Sequence, residues 1–146
     1  MLPTDTEDLI DRALKEDLGV GDHTTLATIP AETKGTARLL IKEPGILAGM
    51  ELADAIFKRF DPGLTMKPYL MDGARVAKGD IAFNLFGSCR SILMVERVVL
   101  NFMQRMSGIA TLTQRYVQAV EGTGCRILDT RKTTPGLRGL EKWAVR

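Results

Sequence analysis

The chain has 146 residues, 45% of them apolar and 26% charged, with a net charge of +2; this is the makeup of a globular domain and excludes disordered and collagen-like classes. No run of lysine and arginine reaches five and aromatics make up only 5%, so the phosphate track and stacking platform of a nucleic-acid binder are both missing. The start, Met-Leu-Pro-Thr-Asp-Thr-Glu-Asp, has no basic or apolar run, and no secretion signal or membrane span is expected. Cys89 and Cys125 stand apart instead of forming a CxxC pair, which predicts neither a zinc site nor a disulfide framework and fits a reducing cytoplasm.

In chain order, Thr4 or Asp5 is placed to cap a first helix whose apolar residues Leu9, Ile10, Ala13 and Leu14 share one face, and Gly19 with Gly21 ends it. Gly19-Val20-Gly21-Asp22-His23-Thr24 begins like a dinucleotide fingerprint, but it lacks the third glycine and follows a helix, so it reads as a tight turn. His23, the single histidine, has no second ligand at metal spacing and reads as a turn residue. Strands are expected over 35–42 and 64–71. Between them Leu52, Ala53, Ile56, Phe57 and Phe60 line one side of a helix that Pro62-Gly63 terminates. Asp72-Gly73 is a turn, and a third strand over 81–86 completes an α+β domain.

From Ser88, the residues Ile92, Val95, Val99, Phe102 and Met106 mark the buried stripe of a long helix, with Arg90, Arg97, Asn101, Gln104 and Arg105 mostly on the other side. Ser107-Gly108 is expected to break it. Ile109, Leu112, Tyr116, Val117 and Val120 then form the stripe of a further helix, closed by Gly122 and Gly124. A strand at 126–130, a turn at Pro135-Gly136 and a helix from Leu137 follow, with Leu137, Leu140, Trp143 and Ala144 spaced to pack on a sheet. One strand and one helix cannot close a barrel. The expectation is therefore an amino-terminal portion of a longer enzyme, conformationally weak beyond about residue 110.

The charge is distributed unevenly, seven acids against two bases in residues 1–25 and six bases against two acids in 126–146. The basic end contains Arg126-Ile127-Leu128-Asp129-Thr130-Arg131-Lys132-Thr133-Thr134-Pro135-Gly136, an apolar strand running into two cations, hydroxyls and a turn. In alternating strand-and-helix barrels the residues just past the carboxyl end of a strand surround the substrate. Arg131 and Lys132 hold that place. A guanidinium grips a carboxylate or phosphate with two parallel hydrogen bonds and the ammonium adds a point charge, so a ligand with several negative charges is implied, although an exposed pair on a solvated loop has the same local pattern.

Glu96-Arg97-Val98-Val99-Leu100-Asn101-Phe102-Met103-Gln104-Arg105-Met106-Ser107-Gly108-Ile109-Ala110-Thr111, then Asp129 to Arg138 and Glu141 to Arg146, closely resemble quinolinate phosphoribosyltransferase. Glu16 to Thr25 and Asp72 to Asp80 resemble further segments of that family in the expected order, so the likeness covers nearly the whole chain; His23 departs from the apolar residue more usual there. The resemblance implies an α+β amino-terminal domain, a hammerhead-like open sandwich over 1–108, followed over 109–146 by the first β/α unit of an incomplete α/β barrel. It implies transfer of phosphoribose from 5-phosphoribosyl 1-diphosphate to quinolinate with decarboxylation. Thr130 and Arg131 would bind quinolinate carboxylate, Lys132 would lie between quinolinate and the phosphoribosyl donor, and Arg97 would enter from the neighbouring subunit of a homodimer or higher oligomer. Magnesium is expected with the diphosphate, held by residues of later barrel strands and by none in this sequence.

Two other classes stay open. The chain reads also as a binding or assembly module built from an amino-terminal domain. Asp72 to Asp80 further resembles the turn-and-strand segment of biotinyl or lipoyl carriers, but the nearest lysine, Lys67, precedes Pro68 inside an expected strand instead of sitting at a hairpin tip.

Overall fold

The computed structural model describes residues 2–146. Helix α1 spans Thr6–Leu18, with Ile10 and Leu14 buried as the apolar spacing requires. Its cap differs from expectation. Asp5 stands at the N-cap in a left-handed conformation and its side chain caps nothing; instead the Thr6 hydroxyl donates to the Pro3 carbonyl at 2.6 Å. Residues expected as a tight turn open a second helix, α2, over His23–Thr28. Asp22 caps it by accepting from Thr25 N at 3.0 Å, and the Arg90 guanidinium donates to the carbonyls of Ile29 (2.7 Å) and Leu26 (3.1 Å) at its far end. An exposed segment this short is held by its two ends.

Strand β1 (Lys34–Leu40) alternates exposed and half-buried residues along its length, the period-two signature of a sheet with one covered face. It pairs antiparallel with β5 (Ile81–Ser88), Ala37 opposite Leu85, and β3 (Thr65–Pro68) pairs with the other edge of β5. The order is β1-β5-β3. Being central, β5 carries the buried Ala82, Phe83 and Leu85. Lys67 lies within β3 opposite Asn84, so it has no hairpin tip from which a carrier lysine would reach out. A two-residue ladder not anticipated from the sequence joins β2 (Gly45–Ile46) to β4 (Arg75–Val76).

Helix α3 (Met50–Phe60) buries Leu52, Ala53, Ile56 and Phe57. It begins at Gly49, whose φ of 102° suits glycine but offers no capping side chain. The cap comes from the turn before β4: the Asp72 carboxylate accepts from Met50 N at 2.9 Å and Glu51 N at 3.3 Å, placing a negative charge at the positive end of the helix dipole.

Helix α4 runs unbroken over Cys89–Ala119, so the expected break at Ser107-Gly108 does not occur. Glycine inside a helix costs about 1 kcal/mol relative to alanine, and packing outweighs it: Met103, Met106 and Ala110 continue in phase the buried stripe of Ile92, Val95 and Val99. Ser107 Oγ accepts from Ala48 N at 3.0 Å and donates to Ala48 O, and Thr111 Oγ1 accepts from Ile46 N at 2.9 Å. The polar side chains thus satisfy the backbone of a neighbouring segment. The helix's last turns also depart from expectation, since Leu112, Tyr116 and Val117 are 52%, 57% and 46% exposed and line no core.

The strand expected at 126–130 is not formed; residues 125–130 belong to no ladder and are exposed, because a strand needs a neighbour to take its backbone groups. Helix α5 (Arg138–Ala144) does form, and it packs on α4 instead of on a sheet, burying Leu140 and Ala144 and half-burying Trp143. The tail after the loop is thus better packed than its sequence suggested. No helix among the described residues is long and apolar enough to cross a membrane.

Candidate anion-binding site

The loop between α4 and α5 carries Thr130, Arg131 and Lys132 together. Thr130 N donates to its neighbour's Asp129 Oδ1 at 2.6 Å, Lys132 N to Thr130 Oγ1 at 3.1 Å, and Thr133 N to Arg131 O at 3.0 Å, so local hydroxyl and carboxylate acceptors hold a tight bend. The Arg131 guanidinium and Lys132 ammonium project from it exposed and, among the described residues, without a side-chain partner. These are two adjacent cations of the loop that, among the described residues, no carboxylate neutralises.

Both sides of the bend are tied down by charge. Asp129 pairs with Lys142 of α5, and the hydrogen bond from that ammonium is the main reason the Asp129 carboxyl lies below its usual range. Arg138 Nε donates to Thr133 Oγ1 at 3.1 Å and its Nη2 to Arg131 O at 3.4 Å. Arg105 of α4 reaches Glu141 with Nε at 3.0 Å and with Nη2, which also meets Thr134 Oγ1. Thr134 N donates to the other Glu141 oxygen at 3.2 Å. Burial pushes the Glu141 carboxyl up, and the hydrogen bonds from Arg105 and Thr134 pull it down further, leaving it below the ordinary glutamate value.

Arg97 is not brought to this loop. It lies on the outer side of α4 with its side chain 53% exposed, Nε 3.0 Å from Asp17 Oδ1 at the end of α1 and Nη2 3.6 Å from Asp22 Oδ2. The Asp17 contact raises the arginine's already high pKa, while the Thr25 amide is the leading cause that lowers Asp22. The sequence placed Arg97 and Arg105 on the polar side of the helix, but it did not single out Asp17, Glu141, Arg138 or Lys142 as their partners or as braces for the loop. The only local signal was an acid in the first turn of α5 after Pro135-Gly136, where a carboxylate suits the free amides of a helix start.

The loop's inner side borders a cleft of about 430 Å³ lined by Thr4, Asp5, Arg12, Thr133 and Arg138 among others. A larger one, about 620 Å³, lies between residues 39–47 and α4; its lining is mostly apolar and includes neither Arg131 nor Lys132.

Residues 22–107 match the model of the quinolinate phosphoribosyl transferase N-terminal domain, and residues 109–146 that of the C-terminal domain of the same enzyme. The chain belongs to the quinolinate phosphoribosyl transferase family. It is 50% identical over 142 residues to the chloroplastic nicotinate-nucleotide pyrophosphorylase (carboxylating) of Oryza sativa subsp. japonica, covering 97% of this chain and 38% of that protein. The nicotinate-nucleotide pyrophosphorylase (carboxylating) of Mycobacterium leprae is 45% identical over 144 residues, with 95% and 50% covered. Among solved structures, NadC from Streptococcus pyogenes superposes with a TM-score of 0.95 at 39% identity, covering 99% of this chain and 52% of that one. The nicotinate-nucleotide pyrophosphorylase of Francisella tularensis superposes at 0.92 with 34% identity. The chain thus spans about two fifths to one half of the length of these members of the quinolinate phosphoribosyl transferase family.

Proposed function

We propose that, in a protein of its relatives' length, this chain supplies part of the site that transfers phosphoribose from 5-phosphoribosyl 1-diphosphate to quinolinate. A carbon–nitrogen bond forms as the ribosyl carbon–oxygen bond to diphosphate breaks, and one carboxyl leaves as carbon dioxide, a proton taking its place; the products are nicotinate mononucleotide, diphosphate and carbon dioxide, a step toward NAD. The observation that carries this reading is the braced loop that presents Arg131 and Lys132 unpaired, since a dicarboxylate beside a multiply charged sugar phosphate demands adjacent free cations. As diphosphate departs, the ribosyl carbon gains oxocarbenium character, and the work of the protein is to position the reactants and balance leaving-group charge. Thr130 and Arg131 would hold the quinolinate carboxylate, and Lys132 would stand between the two substrates.

Further parts of the reading concern assembly and architecture. Arg97 would serve the site of the neighbouring subunit in a homodimer or larger oligomer, its exposure on the outer side of α4 being what supports this. Residues 1–108 would form a hammerhead-like open sandwich and 109–146 the start of an α/β barrel, with α4 bridging them and 126–130 becoming a strand beside its barrel neighbours. Magnesium would accompany the diphosphate. Among the described residues no three histidines, cysteines or carboxylates converge as a metal site, so none of them is assigned to hold it and no step is drawn through it. Free Cys89 and Cys125 suit a reducing compartment such as the cytoplasm, although the rice relative carries a chloroplast designation.

The test is Arg131→Ala in the full-length enzyme. Truncating a bidentate arginine is expected to remove roughly 2 to 5 kcal/mol of quinolinate binding, including the penalty of leaving substrate charge unpaired. Unchanged steady-state kinetics would eliminate the assignment.

A further inference from the structure

Arg131 and Lys132 have no side-chain partner among the described residues, so whatever fixes their direction must act through the backbone of their loop. One carboxylate concentrates that role. Glu141 Oε1 accepts from Arg105 Nε at 3.0 Å, Oε2 accepts from Thr134 N at 3.2 Å, and Arg105 Nη2 bridges Glu141 and Thr134 Oγ1. The Glu141 side chain is 12% exposed and that of Arg105 44%, so the acid is withdrawn from water and its donors are those of the protein. Arg105 in turn stands on a helix anchored on both sides by the buried Met103 and Met106. Loop, α5 and α4 are therefore joined at one carboxylate, which holds the loop at Thr134, three residues beyond the cation that would grip substrate.

We propose that Glu141 and Arg105 are positioning residues of the anion site: by locking Thr134 against α4 they set where Arg131 and Lys132 point. The inference deepens the proposed function and rests on its reading of Arg131. A group misplaced by about 1 Å in such a site loses on the order of a hundredfold in rate, so a brace gripping the loop at Thr134, three residues after Arg131, acts on the site without touching the ligand. A pair that merely staples α5 to α4 would change stability alone.

The experiment is a double-mutant cycle on quinolinate binding in the full-length enzyme, using calorimetry on the wild type, Glu141→Ala, Arg131→Ala and the double variant. Glu141→Ala should weaken binding about ten- to a hundredfold. In the Arg131→Ala background the same change should cost less than about threefold, because the brace acts through the arginine it positions. Equal losses in both backgrounds, or none in folded Glu141→Ala protein, would overturn the inference while leaving Arg131 in place. Should Arg131→Ala by itself bind quinolinate normally, the reading of the site falls and this inference falls with it. Where Glu141→Ala does not fold, Arg105→Lys decides the matter: it keeps the charge but loses the fork that reaches both Glu141 and Thr134, so affinity should still drop about tenfold, and unchanged affinity would overturn the proposal.

Discussion

Arg97 and Asp17 meet across the outer side of α4, the guanidinium Nε lying 3.0 Å from one carboxylate oxygen and 3.2 Å from the other. With the arginine half-exposed, a pair of this kind is weak in water, so little free energy would oppose its exchange for another acidic partner. If it serves a neighbouring subunit, two inactive variants should rescue each other. Mixing full-length Arg97→Ala and Arg131→Ala chains, with subunit exchange demonstrated, should restore roughly a quarter of wild-type activity, since random pairing places one intact site in half of the dimers. Failure to recover would mean that Arg97 acts within its own chain.

Glu141 makes acid stability a readout of the brace. Burial raises its carboxyl and the hydrogen bonds of Arg105 and Thr134 lower it more, so the folded value lies below the ordinary 4.5. A group depressed on folding contributes stability above its unfolded pKa and loses that contribution as pH falls through the folded one. The difference in melting temperature between wild type and Glu141→Gln should be full at neutral pH and shrink below 4.5. A constant difference down to about pH 3 would show that the carboxylate's charge is irrelevant to the fold.

The remote cap of α3 should be measurable by itself. Removing an N-capping carboxylate costs about 1 kcal/mol, and Asp72→Ala should lower the denaturation free energy by that amount. Gly87→Ala should cost more, about 1 to 3 kcal/mol, because φ is 147° and an added Cβ would lie 2.7 Å from Leu64 Cδ2 and 3.2 Å from the Gly63 carbonyl. Equal midpoints for both variants and wild type in urea would contradict the packing described.

Periodic elements were legible from sequence because burial is written into them every second or every third to fourth residue: β1 with its alternating face, α3 with Leu52 to Phe57, and the first half of α4. What escaped depended on partners distant in the chain. Helix α2 has no apolar stripe and is held by Arg90; the cap of α3 comes from Asp72; the loop brace joins Arg105 to Glu141. Ser107-Gly108 looked like a stop by local propensity, yet Ala48 and the buried methionines decide the matter. The cationic loop itself was visible as residue chemistry, whereas its bracing was not.

Hydrogen exchange should divide the carboxyl-terminal region in a way the sequence did not suggest. Amides of α5, covered by α4 through Leu140 and Ala144, should exchange more slowly than those of residues 121–130, which are exposed and outside any ladder. Uniformly fast exchange from 121 to 146 would mean that α5 does not hold to α4.

The unbroken course of α4 makes it a gauge. Arg97 and Arg105 are carried on the same rod about 12 Å apart along its axis, one facing the end of α1 and the other the cationic loop. Neither can shift along the axis or swing round it without the other, as a hinge at Ser107-Gly108 would lie beyond both. Adding one residue to the helix between them would turn one arginine by about 100° relative to the other, so the spacing, and not just the identity, of these two side chains is part of what the sequence must keep.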